Sequence, residues 1–236
     1  ASIGVQDFDP AIQAIIGRDQ SYEVTRAAVE SIRARGVASL NADILYGLPM
    51  QTPASVSDSV QKLLSLSPDR VALYGYAHVP WFKKHQKMID EAELPGVAER
   101  YNQATTIEAE LRTAGYAAIG LDHFALPHDE ITVAAGNRRL RRNFQGYTTD
   151  VSDALLSFGA SAIGEFPQGF VQAARDTLEW SQRIERNESP VTRGLATTAE
   201  DRMRSEVIER LMCDLSVDYA KIAAQHGFDA ELMADV

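Results

Sequence analysis

The chain has 236 residues, of which 45% are hydrophobic and 24% are charged, so it can bury a core of ordinary size for a globular protein. Its net charge of -10 argues against general binding to a phosphate backbone, and its single cysteine, Cys213, excludes an intrachain disulfide and a cysteine-ligated cluster built from this chain alone. It contains neither an apolar run of membrane-spanning length nor a signal peptide, and we therefore expect a cytoplasmic protein with no membrane partner.

The N-terminal part of the sequence predicts a strand followed by an amphipathic helix. Residues 1–6 read as a strand already in progress, and Ala1 is not an initiator, so we expect the chain to be a fragment of a longer protein. Apolar residues beginning with Val24 recur every four positions within residues 22–35, and this spacing predicts a helix. Gly36 is suited to the left-handed conformation that ends a helix.

Helices and strands then alternate as far as residue 129. The predicted elements are a strand at 39–46, a helix opened by Thr52-Pro53, a strand at 70–77, a helix that carries Tyr101, Ala104, Ile107 and Leu111, and a strand at 116–121. This alternation is typical of parallel βαβ units. Residues 33–43 and 112–122 are also weakly similar, which predicts repeated units of a barrel.

The pattern changes in the second half of the chain. Residues 158–164 are rich in glycine and have strand or turn character. Helices are predicted near 170–187, 199–213 and 217–226, the second of them opened by Thr198 and Asp201 as a capping box. We therefore divide the chain into a barrel part at 1–165 and a helical C-terminal subdomain at 166–236.

Asp43 is a candidate ligand-binding residue, because a carboxylate inside a strand is costly unless a partner uses it. At the end of a barrel strand that partner is usually a ligand, such as a pair of ribose hydroxyls. The alternative is that neighbouring backbone amides satisfy Asp43.

Two histidines follow predicted strands. His78 lies in a loop, where proton transfer, a hydrogen bond to a substrate and a purely structural role are all open. Asp122 and His123 are neighbours at a strand end, and because neighbouring strand residues point in opposite directions we expect no dyad between them.

Four arginines lie close together at positions 138, 139, 141 and 142 of an otherwise acidic chain. Arginine binds planar carboxylates through two hydrogen bonds, so a substrate with several carboxylates would suit this run. Single-stranded nucleic acid, with Phe144 and Tyr147 as stacking platforms, is a second interpretation, and a solvated helix face is a third.

These features occur together in an order that resembles a known family. The matching segments are residues 3–8, 18–20, 41–52, 67–70, 76–80, 120–125 and 142–149, the last reading Arg142-Asn143-Phe144-Gln145-Gly146-Tyr147-Thr148-Thr149. From the first residue to about 220 the chain resembles the oxygen-independent coproporphyrinogen III oxidases, which are radical S-adenosylmethionine (SAM) enzymes.

The resemblance implies an α/β fold: part of a TIM-like radical SAM barrel, followed by a mostly helical C-terminal subdomain. It implies a [4Fe-4S] cluster and two SAM molecules, which supply the radical chemistry. It further implies that two propionates of coproporphyrinogen III lose carbon dioxide and become vinyl groups, giving protoporphyrinogen IX. The parent protein is expected to be a monomer that binds no nucleic acid, and its electron donor and acceptor stay unidentified.

The resemblance also implies roles for particular residues. Gln6, Arg18, Asp43 and the backbone at Ala77 resemble contacts to the second SAM. Ile163 resembles an apolar contact to the adenine of the first SAM, and Phe144 and Gln145 resemble residues close to the cofactors. A role for Arg142 in binding propionates is our hypothesis.

One departure from the family is that its Cys-x-x-x-Cys-x-x-Cys loop does not occur in this chain. Thiolates hold such a cluster, so we expect this chain alone to be inactive. A related alternative is a haem chaperone of the same superfamily, and the run that begins at Arg142 argues against it.

Overall fold

The computed structural model describes residues 1–143 and 146–229, and the chain divides into two compact units, Ala1–Gly136 and Asn137–Val236. Each unit has its own sheet and helices. None of the helices within the described residues is long and apolar enough to cross a bilayer.

The first unit is an α/β sheet with helices between its strands. In chain order its elements are β1 (Ser2–Gln6), α1 (Pro10–Ile15), α2 (Tyr22–Ala34), β2 (Asn41–Tyr46), α3 (Pro53–Ser65), β3 (Arg70–Gly75), two 3-10 turns (Lys84–Met88 and Glu91–Glu93), α4 (Val97–Thr113), β4 (Ala117–Ile119), β5 (His123–Ala125) and α5 (Glu130–Gly136). The strand order is β1-β2-β3-β5-β4. The first three strands are parallel, as predicted.

The start of α3 shows how local sequence sets an element. Thr52 is the N-cap, and its hydroxyl accepts a hydrogen bond from the Ser55 amide at 3.1 Å. The Ser55 hydroxyl accepts one from the Thr52 amide at 2.9 Å, which completes a capping box. Pro53 occupies the first helical turn, where its missing N–H costs nothing. The predicted opening of this helix is confirmed.

The core of the first unit lies between the sheet and the helices packed on it. Leu40, just before β2, and Val71 of β3 belong to one cluster with Leu63 of α3 and with Ile107 and Leu111 of α4. All five are almost completely buried. Removing a side chain of this kind typically costs about 2–5 kcal/mol. This packing fixes the ends of the strands, where the candidate site lies.

The far edge of the sheet differs from the predicted barrel repeat. β5 pairs antiparallel with both β3 and β4, because a tight turn at Gly120, with φ of 60°, reverses the chain after β4. The carbonyl of Asp122 in this turn accepts a hydrogen bond from the Leu73 amide at 2.7 Å. Asp43 lies inside β2, whereas Asp122 lies in the turn between β4 and β5. Residues 33–43 and 112–122 are therefore not structurally equivalent, although their similarity predicted it.

In its described residues, the second unit combines short antiparallel strands with three helices. Its elements are β6 (Arg141–Asn143), β7 (Gly146–Thr148), β8 (Ile163–Phe166), β9 (Gly169–Ala173), α6 (Thr177–Glu185), β10 (Val191–Ala196), α7 (Ala199–Asp214) and α8 (Tyr219–Gln225). β6 and β7 form a hairpin, and β8, β9 and β10 form an antiparallel sheet in the order β10-β9-β8.

The predicted helices of this unit are confirmed for α7 and α8, and the capping box of Thr198 and Asp201 at the start of α7 is present. The helix predicted near 170–187 was wrong in its first part, which forms β9. α6 begins only after Asp176, whose side chain caps it. The predicted domain boundary at residue 165 falls inside β8, and the division into barrel part and C-terminal subdomain stays a prediction.

Candidate functional site

The candidate site lies at one edge of the first unit's sheet, where the three parallel strands end. β1, β2 and β3 end at Gln6, Tyr46 and Gly75, and their C-terminal ends lie side by side because the strands are parallel neighbours. Ligands of parallel α/β sheets bind at this edge.

Gln6 and Arg18 meet over Gly4. Gln6 follows a shift of register between β1 and β2 and has a φ of 70°. A Cβ atom added at Gly4 would lie 2.7 Å from Nε2 of Gln6 and 3.3 Å from Nη2 of Arg18. Arg18 also donates a hydrogen bond to the Gly4 carbonyl and one to Oε1 of Gln20 at 3.2 Å. A glycine at position 4 therefore leaves the space that both side chains occupy.

Asp43 is the neighbour of Gly4 on β2. Residues paired in register across adjacent strands present their side chains on the same face, so Asp43 shares the face on which Gln6 and Arg18 lie. Its Oδ1 accepts a hydrogen bond from Nδ2 of Asn41 at 2.7 Å, and this is its one side-chain partner in the described part of the chain. Backbone amides therefore do not satisfy Asp43 there, and its second carboxylate oxygen is available to a ligand.

The segment after β3 carries Ala77. This residue is exposed, and its carbonyl accepts a hydrogen bond from Nε2 of Gln86 at 3.1 Å. Next to it, the Tyr76 amide donates to the Tyr46 carbonyl at 2.8 Å, which ties the end of β3 to the end of β2. The Ala77 backbone is thus held at the same edge as Asp43.

His78 has a structural setting. Its Nδ1 lies 3.2 Å from the Tyr76 hydroxyl and its Nε2 lies 3.3 Å from Oε1 of Glu91, so both ring nitrogens have a protein partner. Burial raises the pKa of Tyr76, so its hydroxyl stays protonated at neutral pH. These contacts favour the structural role over proton transfer.

A buried polar network shapes the turn after β2. The Gly47 amide donates to Oε1 of Gln103 at 2.8 Å, and the Leu48 amide donates to Oε1 of Gln51 at 2.7 Å. Nε2 of Gln103 donates to the Gln51 carbonyl at 2.8 Å, and Nε2 of Gln51 donates to Oδ2 of Asp7. The network joins α4, the turn and the segment after β1, and its side chains were not predicted.

Arg100 is a second residue that the sequence did not predict. Its guanidinium occupies the space beside two glycines: a Cβ atom at Gly47 would lie 2.7 Å from Nη1, and one at Gly75 would lie 3.1 Å from Nη2. It donates to the Tyr76 carbonyl at 2.9 Å and lies 5.7 Å from the centre of the Tyr46 ring. Within the described residues it has no carboxylate partner.

Asp122 and His123 do form a pair, so the prediction of no dyad was wrong. Nδ1 of His123 lies 2.7 Å from Oδ1 of Asp122. Asp122 lies in the turn before β5 and not in the strand, and the alternation of strand side chains therefore does not apply to it.

In the second unit the arginines line a cavity of about 580 Å³. Its charged lining residues are Arg138, Arg139, Arg141, Arg142, Arg202, Arg210, Asp153, Glu165, Glu206 and Glu209. The run belongs partly to strand β6, so the interpretation as a helix face was wrong. Arg202 and Arg210 come from α7 and were not predicted as members of this cluster.

The arginines of the cavity differ in their partners. Arg141 pairs with Glu209 at 2.9 Å, and Arg210 pairs with Asp214 at 3.1 Å. The Arg142 guanidinium instead lies 5.8 Å from the centre of the Tyr147 ring and has no carboxylate partner in the described part of the chain. An arginine in this setting can bind the carboxylate of a ligand.

The other candidate site residues of the second unit either do not line this cavity or lie outside the described residues. Ile163 opens β8, is partly buried and pairs in register with Gln172. Phe144 and Gln145 lie outside the described residues. The roles of all three stay predictions.

Comparison with known proteins agrees with this architecture. The chain is 54% identical over 236 residues to the oxygen-independent coproporphyrinogen III oxidase of Paracoccus denitrificans, covering 100% of this chain and 52% of that protein. It is 50% identical over 233 residues to that of Bradyrhizobium diazoefficiens, covering 99% and 52%. The chain is homologous to the oxygen-independent coproporphyrinogen III oxidases. The chain spans about half the length of these relatives, and no family model matches it.

A solved structure supports the family at the level of the fold. Coproporphyrinogen III oxidase from Escherichia coli, a radical SAM enzyme, superimposes with a TM-score of 0.89 at 36% identity, over 96% of this chain and 52% of that one. The predicted α/β fold class of a radical SAM enzyme is confirmed.

An iron–sulfur cluster does not fit the residues of this chain. Cys213 is its one cysteine, and burial raises the pKa of this thiol to about 11, whereas a cluster ligand must be a thiolate. Among the described residues no group of three or more histidine, cysteine, aspartate or glutamate side chains is placed to hold a metal ion. Groups of the kind that bind SAM are present in the chain. The Asp43 carboxylate is an acceptor that suits ribose hydroxyls, and the Arg18 guanidinium is a donor that suits a carboxylate.

Proposed function

We propose that the parent protein of this chain is an oxygen-independent coproporphyrinogen III oxidase. It would convert two propionates of coproporphyrinogen III to vinyl groups with loss of carbon dioxide, and the product would be protoporphyrinogen IX. The observation that carries the proposal is the 54% identity to a protein of that name over the whole chain. The cluster and SAM, when bound in the parent protein, supply the radical chemistry.

The first unit would hold the second of two SAM molecules. Asp43 would accept hydrogen bonds from the ribose hydroxyls, because one of its oxygens has no partner in the described residues. Arg18 would face a carboxylate, and Gln6 would hydrogen-bond beside it. The Ala77 backbone, held by Gln86, would border the same ligand. These groups bind and orient the cofactor and exclude water from it.

The second unit would bind the substrate carboxylates and the first SAM. Arg142 would contact a propionate, because its guanidinium is supported by Tyr147 and not neutralised by a carboxylate among the described residues. Ile163 would provide an apolar contact to the adenine of the first SAM. Phe144 and Gln145, outside the described residues, would lie close to the cofactors by resemblance to the family.

We further propose that residues 1–165 belong to the barrel and that 166–236 begin the C-terminal domain. The parent protein would act in the cytoplasm as a monomer without nucleic acid. Because the chain has one cysteine, the cluster ligands would come from outside it, and the chain alone would not cleave SAM.

An anaerobic assay on the parent protein, reconstituted with iron and sulfide, tests the proposal. Coproporphyrinogen III, SAM, a reductant and a cell extract that supplies the electron acceptor are added. We expect protoporphyrinogen IX together with 5′-deoxyadenosine, and neither product from this chain alone under the same conditions. A parent protein that has an intact cluster, forms no product and binds haem tightly would be a haem chaperone instead.

Two variants of the parent protein assign the roles. Asp43→Ala should weaken SAM binding, because the ribose hydroxyls lose their acceptor. Arg142→Ala should raise the KM for coproporphyrinogen III with little change in kcat, and an unchanged KM would exclude a role for Arg142 in propionate binding. Arg193→Ala, on the exposed strand β10, is a matched arginine control that should change neither value.

A further inference from the structure

The loop that follows β3 exposes large apolar side chains. We call residues 81–88, which read Trp81-Phe82-Lys83-Lys84-His85-Gln86-Lys87-Met88, the aromatic–lysine loop. Trp81 is 79% exposed, Phe82 64% and Met88 84%. Aromatic side chains exposed to this degree usually mark a binding surface when they lie together.

The same loop concentrates positive charge. The chain has five lysines, at positions 62, 83, 84, 87 and 221, and three of them lie in the aromatic–lysine loop, although the chain as a whole carries a net charge of -10. None of the three pairs with a carboxylate within the described residues, and Nζ of Lys83 lies 5.3 Å from the centre of the Phe82 ring. The loop therefore presents apolar rings and unneutralised cations side by side.

The exposure belongs to an ordered turn that is tied to the candidate site. Gln86 is the buried residue of the loop: its Oε1 accepts from the Val79 amide at 2.6 Å, and its Nε2 donates to the Ala77 carbonyl at 3.1 Å. Ile89, next along the chain, is also buried. Because Gln86 joins the loop to Ala77, the rings and lysines are held next to the edge where β1, β2 and β3 end.

We propose that the aromatic–lysine loop binds the substrate, an apolar ring system that carries several carboxylates. Trp81 and Phe82 would pack against the apolar ring, and the lysines would pair with carboxylates on its rim. Such a ligand matches both properties of the loop at once. The inference rests on the proposed function for the identity of the ligand, and on the contacts above for the place where it binds.

Neighbouring acidic residues argue for a small ligand over an extended anionic surface. Asp90, Glu91 and Glu93 follow the loop directly. An anionic membrane or a large acidic protein that reached the lysines would also approach these carboxylates and be repelled by them. A compact polycarboxylate covers less surface than a membrane or a large protein does, so fewer of these carboxylates would oppose its binding.

Binding to this chain is measured with coproporphyrin III, the stable oxidised form of the proposed substrate, by fluorescence anisotropy of the porphyrin. The triple variant K83A/K84A/K87A should raise the Kd roughly tenfold, the combined effect of three exposed ion pairs. W81A/F82A should raise it to a similar degree. The matched lysine control K62A/K221A should leave the Kd unchanged. If both loop variants bind coproporphyrin III like the original chain, the proposal is wrong.

Two further measurements keep the outcome clear. Circular dichroism melts should show that these surface substitutions leave the fold intact, and the single variant Lys84→Glu provides a second test if the triple variant does not fold. Sedimentation with phosphatidylserine vesicles tests the alternative that the loop binds a membrane surface. Vesicle binding that the triple variant loses, with an unchanged Kd for coproporphyrin III, would overturn the proposal in favour of a membrane surface.

The same triple variant in the parent protein separates this inference from the proposed function. We expect the KM for coproporphyrinogen III to rise roughly tenfold with kcat changed less than about twofold, because the loop would bind substrate without touching the reacting atoms. Turnover by the parent protein with an unaltered KM in the triple variant would reject the loop and leave the proposed function standing. A parent protein that forms no product would reject the proposed function, while the binding result on the chain would still decide the loop.

Discussion

The buried side chain of Gln103 offers a direct test of the network that shapes the turn after β2. It is 0% exposed, accepts from the Gly47 amide and donates to the Gln51 carbonyl, each at 2.8 Å. Gln103→Leu keeps the size of the side chain but removes both hydrogen bonds, and it leaves two backbone groups in buried residues without partners. Each such group costs about 1–3 kcal/mol, and the greater apolar character of leucine offsets about 1 kcal/mol. We expect a net loss of about 1–5 kcal/mol.

Urea unfolding of the first unit measures this loss. Trp81, the tryptophan of the first unit, is already 79% exposed, so the loss of helical circular dichroism is the better signal for this transition. With a denaturant slope of about 2 kcal/mol/M, the middle of the usual range, the midpoint should fall by about 0.5–2.5 M. Gln61→Leu, the same substitution at an exposed position, should cost less than about 0.5 kcal/mol. A Gln103→Leu midpoint equal to that of Gln61→Leu would refute the role of the network.

Three further predictions concern single residues. Because burial raises the pKa of Cys213 to about 11, a disulfide reagent at about pH 8 should modify the folded chain at least about 100-fold more slowly than the chain in guanidinium chloride. Gly47→Ala should destabilise the chain more than Gly115→Ala in a urea titration. Both positions have positive φ, but a Cβ atom at Gly47 would also lie 2.7 Å from Nη1 of Arg100, whereas one at Gly115 would have no neighbour within 4 Å. Hydrogen bonds from Thr198, first from its backbone and then from its hydroxyl, lower the pKa of Asp201 below 3.8. The contribution of Asp201 to the stability of the folded chain should therefore be complete above pH 3.8 and lost as the pH falls through the pKa of the folded state. The thermal melts of wild type and Asp201→Asn should differ at neutral pH and converge in acid.

Local signals were sufficient for most helices. Thr52-Pro53 opens α3, and Gly36, with φ of 78°, follows the end of α2, both as predicted. Helix ends of this kind are predictable because a cap depends on only a few adjacent residues. The buried faces were predicted less well. Val24 was assigned to the apolar stripe of α2, but it is 60% exposed, and Thr25 and Val29 are buried instead. Spacing alone does not say which of two adjacent stripes faces the sheet.

Parts of the fold that depend on distant pairing were not predictable from local pattern. A strand at 116–121 was expected, but nothing in its composition indicated that β5 would enter the sheet between β3 and β4. In the second unit, β9 reads as an apolar run that suits a helix equally well, and its pairing with β8 and β10 decides the outcome. Short apolar runs of this kind take their conformation from the partners they find.

The candidate site divides in the same way. Asp43 was predicted because a carboxylate inside a buried strand is unusual by itself. Gln103 and Arg100 were missed, although they contact the turn after β2, because they lie more than fifty residues further along the chain. One signal was present: Gln103 is a polar residue at helical spacing from Ile107 and Leu111, the buried positions of α4, whereas the predicted stripe began at the exposed Tyr101.

Backbone strain at the end of β1 supports the ligand site independently of any resemblance. Gln6 adopts a φ of 70°, a conformation that costs a residue with a side chain about 1–3 kcal/mol. The next residue holds the strand end in place, because the buried Asp7 carboxylate accepts hydrogen bonds from the Ser59 hydroxyl and the Asp9 amide, each at 2.7 Å. The strain is therefore maintained by neighbouring contacts, and its effect is to bring the Gln6 side chain over Gly4. Because strained residues cluster at ligand sites, the geometry of Gln6 motivates the hypothesis that its side chain contacts a ligand on the face shared with Asp43.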